Sequence, residues 1–256
     1  MNNLLQKSFR MTQDSSLWSR LEPPTLGPDE IHVWRINLNV SQSYLDYLFC
    51  LLSNEEKNKA QRFRVAKTRD AFIARRGLLR ILLSRYLTCE APDLRFTHNA
   101  FDKPLLESPS ESYELHFNLS HADDVAVIAL SRNDVGIDIE RVDATYPCLT
   151  IAEEFFADHE IFVLHALPRS EVVRTFFRYW TAKEAVAKAI GIGLSISLSE
   201  IGLEFLEGKP GGHANVLFPT CDVWHFYHLE FGPHFIVAVA SRKPVQHVIY
   251  SDTLEF

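Results

Sequence analysis

The 256-residue sequence predicts an α+β protein of two similar halves that join near residue 133. Three observations carry that prediction. The apolar pattern runs strand, long helix, strands, and then repeats that order. Hydrophobic residues make up 46% of the chain and charged residues 23%, the balance of a globular protein. The length suits one large domain or two small ones, and either choice buries a sufficient core. No internal repeat is visible residue by residue, so the duplication is one of pattern.

Residues 1–30 read as a loosely ordered N-terminal arm, polar and closing on Pro23, Pro24, Gly27 and Pro28. The half over 31–133 opens with IHVWRINL at 31–38, a strand. Ser53 and Glu56 have the S-x-x-E spacing of a capping box, in which hydroxyl and carboxylate satisfy each other's orphan amides, so a helix starts there. From Val65 to Leu87, Phe72, Ile73, Leu79, Leu82, Leu83 and Tyr86 recur at helical spacings, with Lys67, Arg69, Arg76 and Arg80 largely between them. That pattern predicts one long amphipathic helix. After Pro92 the period changes: Tyr113, Leu115, Phe117 and Leu119 alternate with Glu114, His116 and Asn118, as in a half-buried strand. Val125–Leu130 predicts an apolar strand and Arg132-Asn133 a turn. Val135, Ile137 and Ile139, alternating with Gly136, Asp138 and Glu140, complete what reads as an antiparallel hairpin. The half over 134–256 continues with N-cap signals at Thr150-x-x-Glu153 and Asp158. Ser170 opens a helix that runs through Trp180 to Gly191, where Gly191 and Gly193 can end it. Closing strands are expected at 201–206, 223–231 and 235–241.

The charge balance narrows the function. With 26 Lys+Arg against 33 Asp+Glu the net charge is −7, which argues against nucleic acid as a partner, since phosphate backbones are bound by concentrated Lys and Arg. No stretch approaches 18 uncharged apolar residues, so no membrane span is expected. The opening MNNLLQKSFRMTQDSS lacks the apolar core and cleavage site of a secretory signal. Cys50, Cys89, Cys148 and Cys221 form no CxxC, which suits reduced thiols in a cytoplasmic protein. Yet residues 57–85 hold Lys57, Lys59, Arg62, Arg64, Lys67, Arg69, Arg75, Arg76, Arg80 and Arg85 against a single acid, Asp70. Such a run is usually a solvated helix face. In an otherwise acidic chain it points to an anion site, and guanidinium groups suit a small polyphosphorylated ligand. Neither G-x-x-x-x-G-K-[ST] nor a strand-linked G-x-G-x-x-G occurs, which disfavours the common nucleotide folds.

Three clusters can carry chemistry. Asp138 and Glu140 stand two apart on a strand and share a face, so they repel each other unless solvated or neutralised. An oxygen-only pair suits Mg²⁺; an ordinary exposed strand edge is the plainer reading. Trp180, Glu184 and Lys188 form an i, i+4, i+8 row, either a presented acid and cation or a surface pair beside a packed Trp. In Asn118-Leu-Ser-His121, Ser120 and His121 point to opposite faces of the strand and so cannot serve as nucleophile and base. Their donors at a strand end suit a phosphate, or else a polar turn.

Val135-Gly-Ile-Asp-Ile-Glu140 and Trp180-x-x-Lys183-Glu184-x-x-x-Lys188-x-x-Gly191-x-Gly193, in this order, resemble the two signature motifs of the larger, Sfp-type 4′-phosphopantetheinyl transferases. Asn118-Leu-Ser-His121, Lys103-Pro104, Phe155-Phe156-x-x-x-Glu160 and the basic helix with Arg69 and Arg76 match as well. The resemblance spans residues 31–241 and implies a monomer of two similar halves related by a pseudo-twofold axis, with coenzyme A and Mg²⁺ in the cleft between them. Such enzymes move the 4′-phosphopantetheine arm of coenzyme A onto a serine of an acyl or peptidyl carrier domain and release adenosine 3′,5′-bisphosphate. It further implies Asp138, Glu140 and Glu184 as metal ligands, with Glu184 or a metal-bound water as general base and Asp138, Glu184 and Lys188 as the catalytic set. Lys188 would meet the pyrophosphate. Lys103, Ser120, His121 and Arg69 would hold the 3′-phosphate and adenosine end, with Arg76, Pro104, Asn118 and Lys183 completing the coenzyme contacts. Two departures stand out. Asp102 replaces the glycine of the family's Gly-Lys-Pro, so either it turns outward or the coenzyme is held differently. Glu56 stands where relatives can carry a lysine. The rival from another class is a non-catalytic coenzyme- or carrier-binding module of the same fold, and a third reading is a Mg²⁺-dependent phosphodiesterase.

Overall fold

The computed structural model describes residues 10–13, 25–107, 115–193, 196–217 and 221–252. Most of the expected arm, Tyr113 and Glu114 of the expected strand, and Leu194 lie outside the described residues. The first half comprises β1 (Arg10–Gln13), β2 (Glu30–Asn37), α1 (Gln42–Leu51), α2 (Asn54–Arg62), α3 (Ala66–Leu87), β3 (Phe96–His98), β4 (Pro104–Leu106), β5 (His116–Ala122) and β6 (Val125–Ser131). The second comprises β7 (Val135–Arg141), α4 (Cys148–Phe155), α5 (Asp158–Ala166), α6 (Arg169–Ile190), β8 (Ile201–Phe205), β9 (Gly211–Val216), β10 (Val223–Leu229), β11 (Phe235–Ser241) and β12 (His247–Asp252). Two five-stranded sheets result, ordered β1-β12-β2-β6-β5 and β7-β11-β10-β9-β8.

The duplication expected from pattern is present in the topology. Each half sends a first strand into a long helix and then an antiparallel pair whose second member returns beside that strand: β2-β6-β5 in one sheet, β7-β11-β10 in the other. Both long helices have 22 residues and end on a left-handed residue, Thr88 at φ 52° and Gly191 at φ 79°. Both are also fastened in the same way. Glu56 is the third residue of α2 and Glu160 the third of α5, where each accepts the amide of its N-cap residue, Ser53 or Ala157, at 2.9 and 3.0 Å. Each then pairs with the fifteenth residue of the following long helix, Arg80 at 2.8 Å or Lys183 at 2.6 Å. The cation is completed by two backbone carbonyls: Ala91 and Leu94 for Arg80, Leu198 and Ile201 for Lys183. Buried charges persist only when paired and hydrogen-bonded, and both of these are.

The core has three parts. Apolar residues of α1 and α3, among them Leu48, Leu79 and Leu83, pack on one face of the first sheet with Trp34, Ile36 and Ile128. Phe176, Ala182, Ala185 and Val186 of α6 do the same for the second sheet. Between the sheets, Ile31, Val33, Val127 and Ala129 face Val135, Ile137, Val237 and Val239.

That central layer corrects the expected hairpin. β6 pairs with β5 and β2, while β7 pairs with β11, so the turn at Arg132-Asn133 carries the chain from one sheet to the other. An alternating pattern is the same whether its apolar side meets a neighbouring hairpin or a facing sheet. The arm also supplies β1, which runs parallel to β12, and β12 in turn lies beside β2, so the C-terminal segment returns to the first sheet. α1 had a readable signal that the periodicity reading passed over: Ser41 Oγ accepts the Tyr44 amide at 3.3 Å ahead of buried Leu45, Leu48 and Leu51. α4 starts at Cys148, two residues before Thr150, and Asp158 is the first helical residue of α5 instead of its cap.

Candidate active site

β5 and β7 are edge strands of their sheets and meet side by side. An edge strand carries unpaired amides. Here Asn118 Oδ1, buried on β5, accepts the Ile137 amide of β7 at 2.9 Å, which locks the two edges in register. One step along, Ser120 Oγ donates to Asp138 Oδ1 at 2.8 Å. The third element arrives because of Gly136. A Cβ there would stand 2.0 Å from the Ala185 carbonyl oxygen and 2.4 Å from the Ala189 amide nitrogen, so only glycine lets α6 lie directly on β7. That contact puts Glu184 and Lys188 over the Asp138 side of the strand. Lys188 Nζ reaches Asp138 Oδ1 at 2.5 Å and Ser120 Oγ at 3.1 Å.

The expected strand face for Asp138 and Glu140 therefore lies against a helix, and Asp138 is only 3% exposed. Burial raises the Asp138 carboxyl pKa, with the Lys188 ammonium pulling it back. Burial also lifts Glu140, to about 7, helped by the charges of Asp138 and Glu184 and opposed by Lys188 and a hydrogen bond from Trp180. Glu184 is raised by burial and by Asp138, against Lys188. Asp138 Oδ2 is buried without a hydrogen-bond partner. Among the described residues no three His, Cys, Asp or Glu side chains already stand close enough to hold a metal ion. Even so, three carboxylates disfavoured in their charged form by burial, two of them also by the charge of Asp138, together with an orphaned buried oxygen form the kind of donor set that a hard divalent cation relieves, so the residues present fit Mg²⁺.

Beside this seam opens a cleft of about 510 Å³, lined by Lys59, Arg75, Arg76, Phe96, Pro104 and Asn118 among others. His121 leaves β5 on the face opposite Ser120, and burial together with Arg75 and Lys188 drives its pKa down to about 4. The imidazole, exposed at the strand end, is thus neutral at pH 7 and feels the charges of Arg75 and Lys188, a setting that favours an anion. The sequence pattern did not single out Arg75, which adjoins Arg76 in the same helical run. Arg76 lines the cleft but is partly committed, with its guanidinium 2.6 Å from Glu56 and 4.7 Å over the Phe96 ring.

Three expected coenzyme contacts lie away from the lining of this cleft. Lys183 is fully enclosed and held by Glu160, because its place on α6 faces the core side opposite Glu184. Arg69 pairs with Asp70 at 2.8 Å and borders a separate hollow between α1, α2 and α3. Lys103 turns away from the basic cleft toward the end of α6, where Nζ meets the Ala189 carbonyl at 3.0 Å. Asp102 does turn outward: it is exposed on the cleft rim at φ 65°, a backbone conformation natural to glycine.

Residues 36–133 match the family model "4′-phosphopantetheinyl transferase, N-terminal", and residues 134–240 match "4′-phosphopantetheinyl transferase superfamily". The chain is 35% identical over 222 residues to 4′-phosphopantetheinyl transferase HetI of Nostoc sp., covering 86% of this chain and 91% of that protein. It is 33% identical over 219 residues to 4′-phosphopantetheinyl transferase psf-1 of Bacillus pumilus, covering 81% and 87%. A crystal structure of a holo-(acyl-carrier-protein) synthase from Bacillus anthracis covers 42% of this chain and 92% of that one at 24% identity, with a TM-score of 0.35, a likeness too loose to argue from.

Proposed function

The chain belongs to the 4′-phosphopantetheinyl transferase family, and we propose that the β5–β7–α6 seam is where it moves the 4′-phosphopantetheine arm of coenzyme A onto a carrier-protein serine. The observation that carries this reading is the convergence on Asp138 of Ser120 from an edge strand of one half and Lys188 from a helix of the other. In this reading the half over 31–133 holds the nucleotide end of coenzyme A. Arg75 and Arg76 face its phosphates with His121 nearby on β5, and Pro104 and Asn118 line its bed. The half over 134–256 supplies the reacting groups.

Asp138, Glu140 and Glu184 would hold Mg²⁺, which when bound would neutralise charge on the pyrophosphate. The remaining chemistry belongs to the protein's own side chains. The carrier serine Oγ forms a bond to the phosphorus bearing the pantetheine arm while the bridging P–O bond breaks, its electron pair leaving with adenosine 3′,5′-bisphosphate. Free serine is a poor nucleophile, and Glu184, whose carboxyl pKa burial raises, would accept the hydroxyl proton. Lys188, held beside Asp138 and Ser120, would stabilise charge on the departing phosphate. Ser120 orients Asp138. Trp180, packed edge-on to Phe155 and stacked on Phe176, fixes the helix that presents Glu184.

All four cysteines are free, and among the described residues no helix is long and apolar enough to cross a membrane. We read the protein as a cytoplasmic monomer that acts on coenzyme A and a carrier domain with Mg²⁺. Purified protein with coenzyme A, Mg²⁺ and a panel of apo carrier domains tests the reading by intact mass. One added phosphopantetheine per carrier is expected. Binding without product would leave only a non-catalytic module, and cleavage of coenzyme A without carrier would indicate a phosphodiesterase.

A further inference from the structure

The β3–β4 turn belongs to the first half, yet two of its side chains end on the last turn of α6 in the second. Asn99 Nδ2 donates to the Gly191 carbonyl at 2.7 Å. Lys103 Nζ donates to the Ala189 carbonyl at 3.0 Å and to the Val135 carbonyl at 3.4 Å. The turn is braced from within, since Asn99 Oδ1 accepts the amides of Phe101 and Lys103 at 2.9 Å each, and the Asn99 amide closes on the Lys103 carbonyl at 3.0 Å. Lys103 also fills the space where a side chain on Gly191 would stand: a Cβ built there meets Lys103 Cδ at 2.9 Å.

The receiving carbonyls are chemically apt. The last carbonyls of a helix lack intrahelical donors and carry the negative end of its dipole, so an amide and an ammonium satisfy them together. Their position matters as much. Ala189 follows Lys188 directly, and Val135 begins the strand that carries Asp138 three residues later. One ammonium therefore ties together the two backbone segments whose side chains meet as Lys188 and Asp138. A family resemblance alone would send Lys103 to the phosphates of the coenzyme, but the ammonium is spent elsewhere.

We propose that the Asn99–Lys103 turn is a strap between the halves that sets Lys188 against Asp138, making Asn99 and Lys103 positioning residues for the transfer step instead of ligands of the nucleotide. The proposal rests on the roles given above to Lys188 and Asp138. It differs from a phosphate-ligand role in what each predicts for affinity and turnover.

The test combines coenzyme A titration calorimetry with transfer kinetics on the full chain. Lys103→Met is expected to lower kcat about tenfold, as displacement of reacting groups by a fraction of an ångström does, with the dissociation constant for coenzyme A kept within about twofold. Lys103→Arg, which keeps donors for both carbonyls, should restore most of the rate. In a Lys188→Ala background the Lys103→Met penalty should shrink to less than about twofold, because a strap acting through Lys188 has nothing left to place. Asn99→Ala deletes only the bond to Gly191 among the inter-half contacts. It serves as the second variant if Lys103→Met does not fold, with a smaller kcat loss that also vanishes in the Lys188→Ala background. Weaker coenzyme binding at unchanged kcat would overturn the strap, as would an equal rate penalty in both backgrounds. Undiminished kcat in Lys188→Ala itself would instead remove the role given to Lys188, so the two failures are distinguishable.

Discussion

Burial works in opposite directions on the acids and the histidines of this protein. It pushes Asp138 and Glu184 up and lifts Glu140 to about 7, and it pushes His121 and His228 down. His228 lies buried against Phe205 and Phe226, with Nε2 donating to the Arg178 carbonyl at 3.0 Å, and burial plus the nearby Arg178 charge lower its pKa to about 3. Because the unfolded chain takes up this proton near pH 6.5 and the folded chain does not until about pH 3, stability is complete above pH 6.5 and is lost as pH falls. Between pH 7.5 and pH 5 this single group should cost about 2 kcal/mol. His228→Gln is expected to flatten that part of the acid limb in urea unfolding; an unchanged limb would count against the assignment. Asp102 is the other informative residue. Holding a non-glycine residue at φ 65° costs energy, and its carboxylate sits on the rim of a cationic cleft. Asp102→Gly should therefore be neutral to stabilising by roughly 1 kcal/mol and should lower KM for coenzyme A.

Two elements, α6 and β7, decide whether the site exists. Gly136→Ala places a methyl against the backbone of α6, where nothing flexible can give way, so a loss of about 3 kcal/mol and a sharp drop in kcat are expected together. Lys183→Met breaks the buried pair with Glu160 and should cost about 3–5 kcal/mol while leaving the coenzyme affinity of the folded fraction intact. Loss of affinity with stability unchanged would restore Lys183 as a ligand. Much of this architecture was legible in the sequence. The capping box at Ser53 and Glu56, the two long helices, and the alternation that puts Gly136, Asp138 and Glu140 on one face all declared themselves locally. The illegible parts share a cause. Whether β7 pairs with β6 or faces it, whether Lys183 turns inward, and whether Arg75 or Arg69 borders the cleft depend on neighbours distant in the chain. Local period does not encode them. The Glu56–Arg80 and Glu160–Lys183 fastenings are a duplication that no residue-by-residue comparison would find, since the cations differ in type.

At the scale of the whole molecule, a net charge of −7 coexists with a cationic cleft because the acids are distributed while the basic residues cluster on α2 and α3. Carrier domains are commonly acidic, so their docking on this side should weaken as salt screens it: KM for carrier should rise between low and physiological ionic strength while kcat holds. An insensitive KM would place docking elsewhere. The two halves bring one basic cleft and the carboxylates of Asp138, Glu140 and Glu184 to a single seam. The most direct test of that claim is the transfer rate of Glu184→Gln, read by intact mass of the carrier, with coenzyme A binding measured on the same preparation. The account predicts a rate lower by roughly 10²–10⁴-fold with coenzyme A still bound. A near-normal rate in that variant would contradict it.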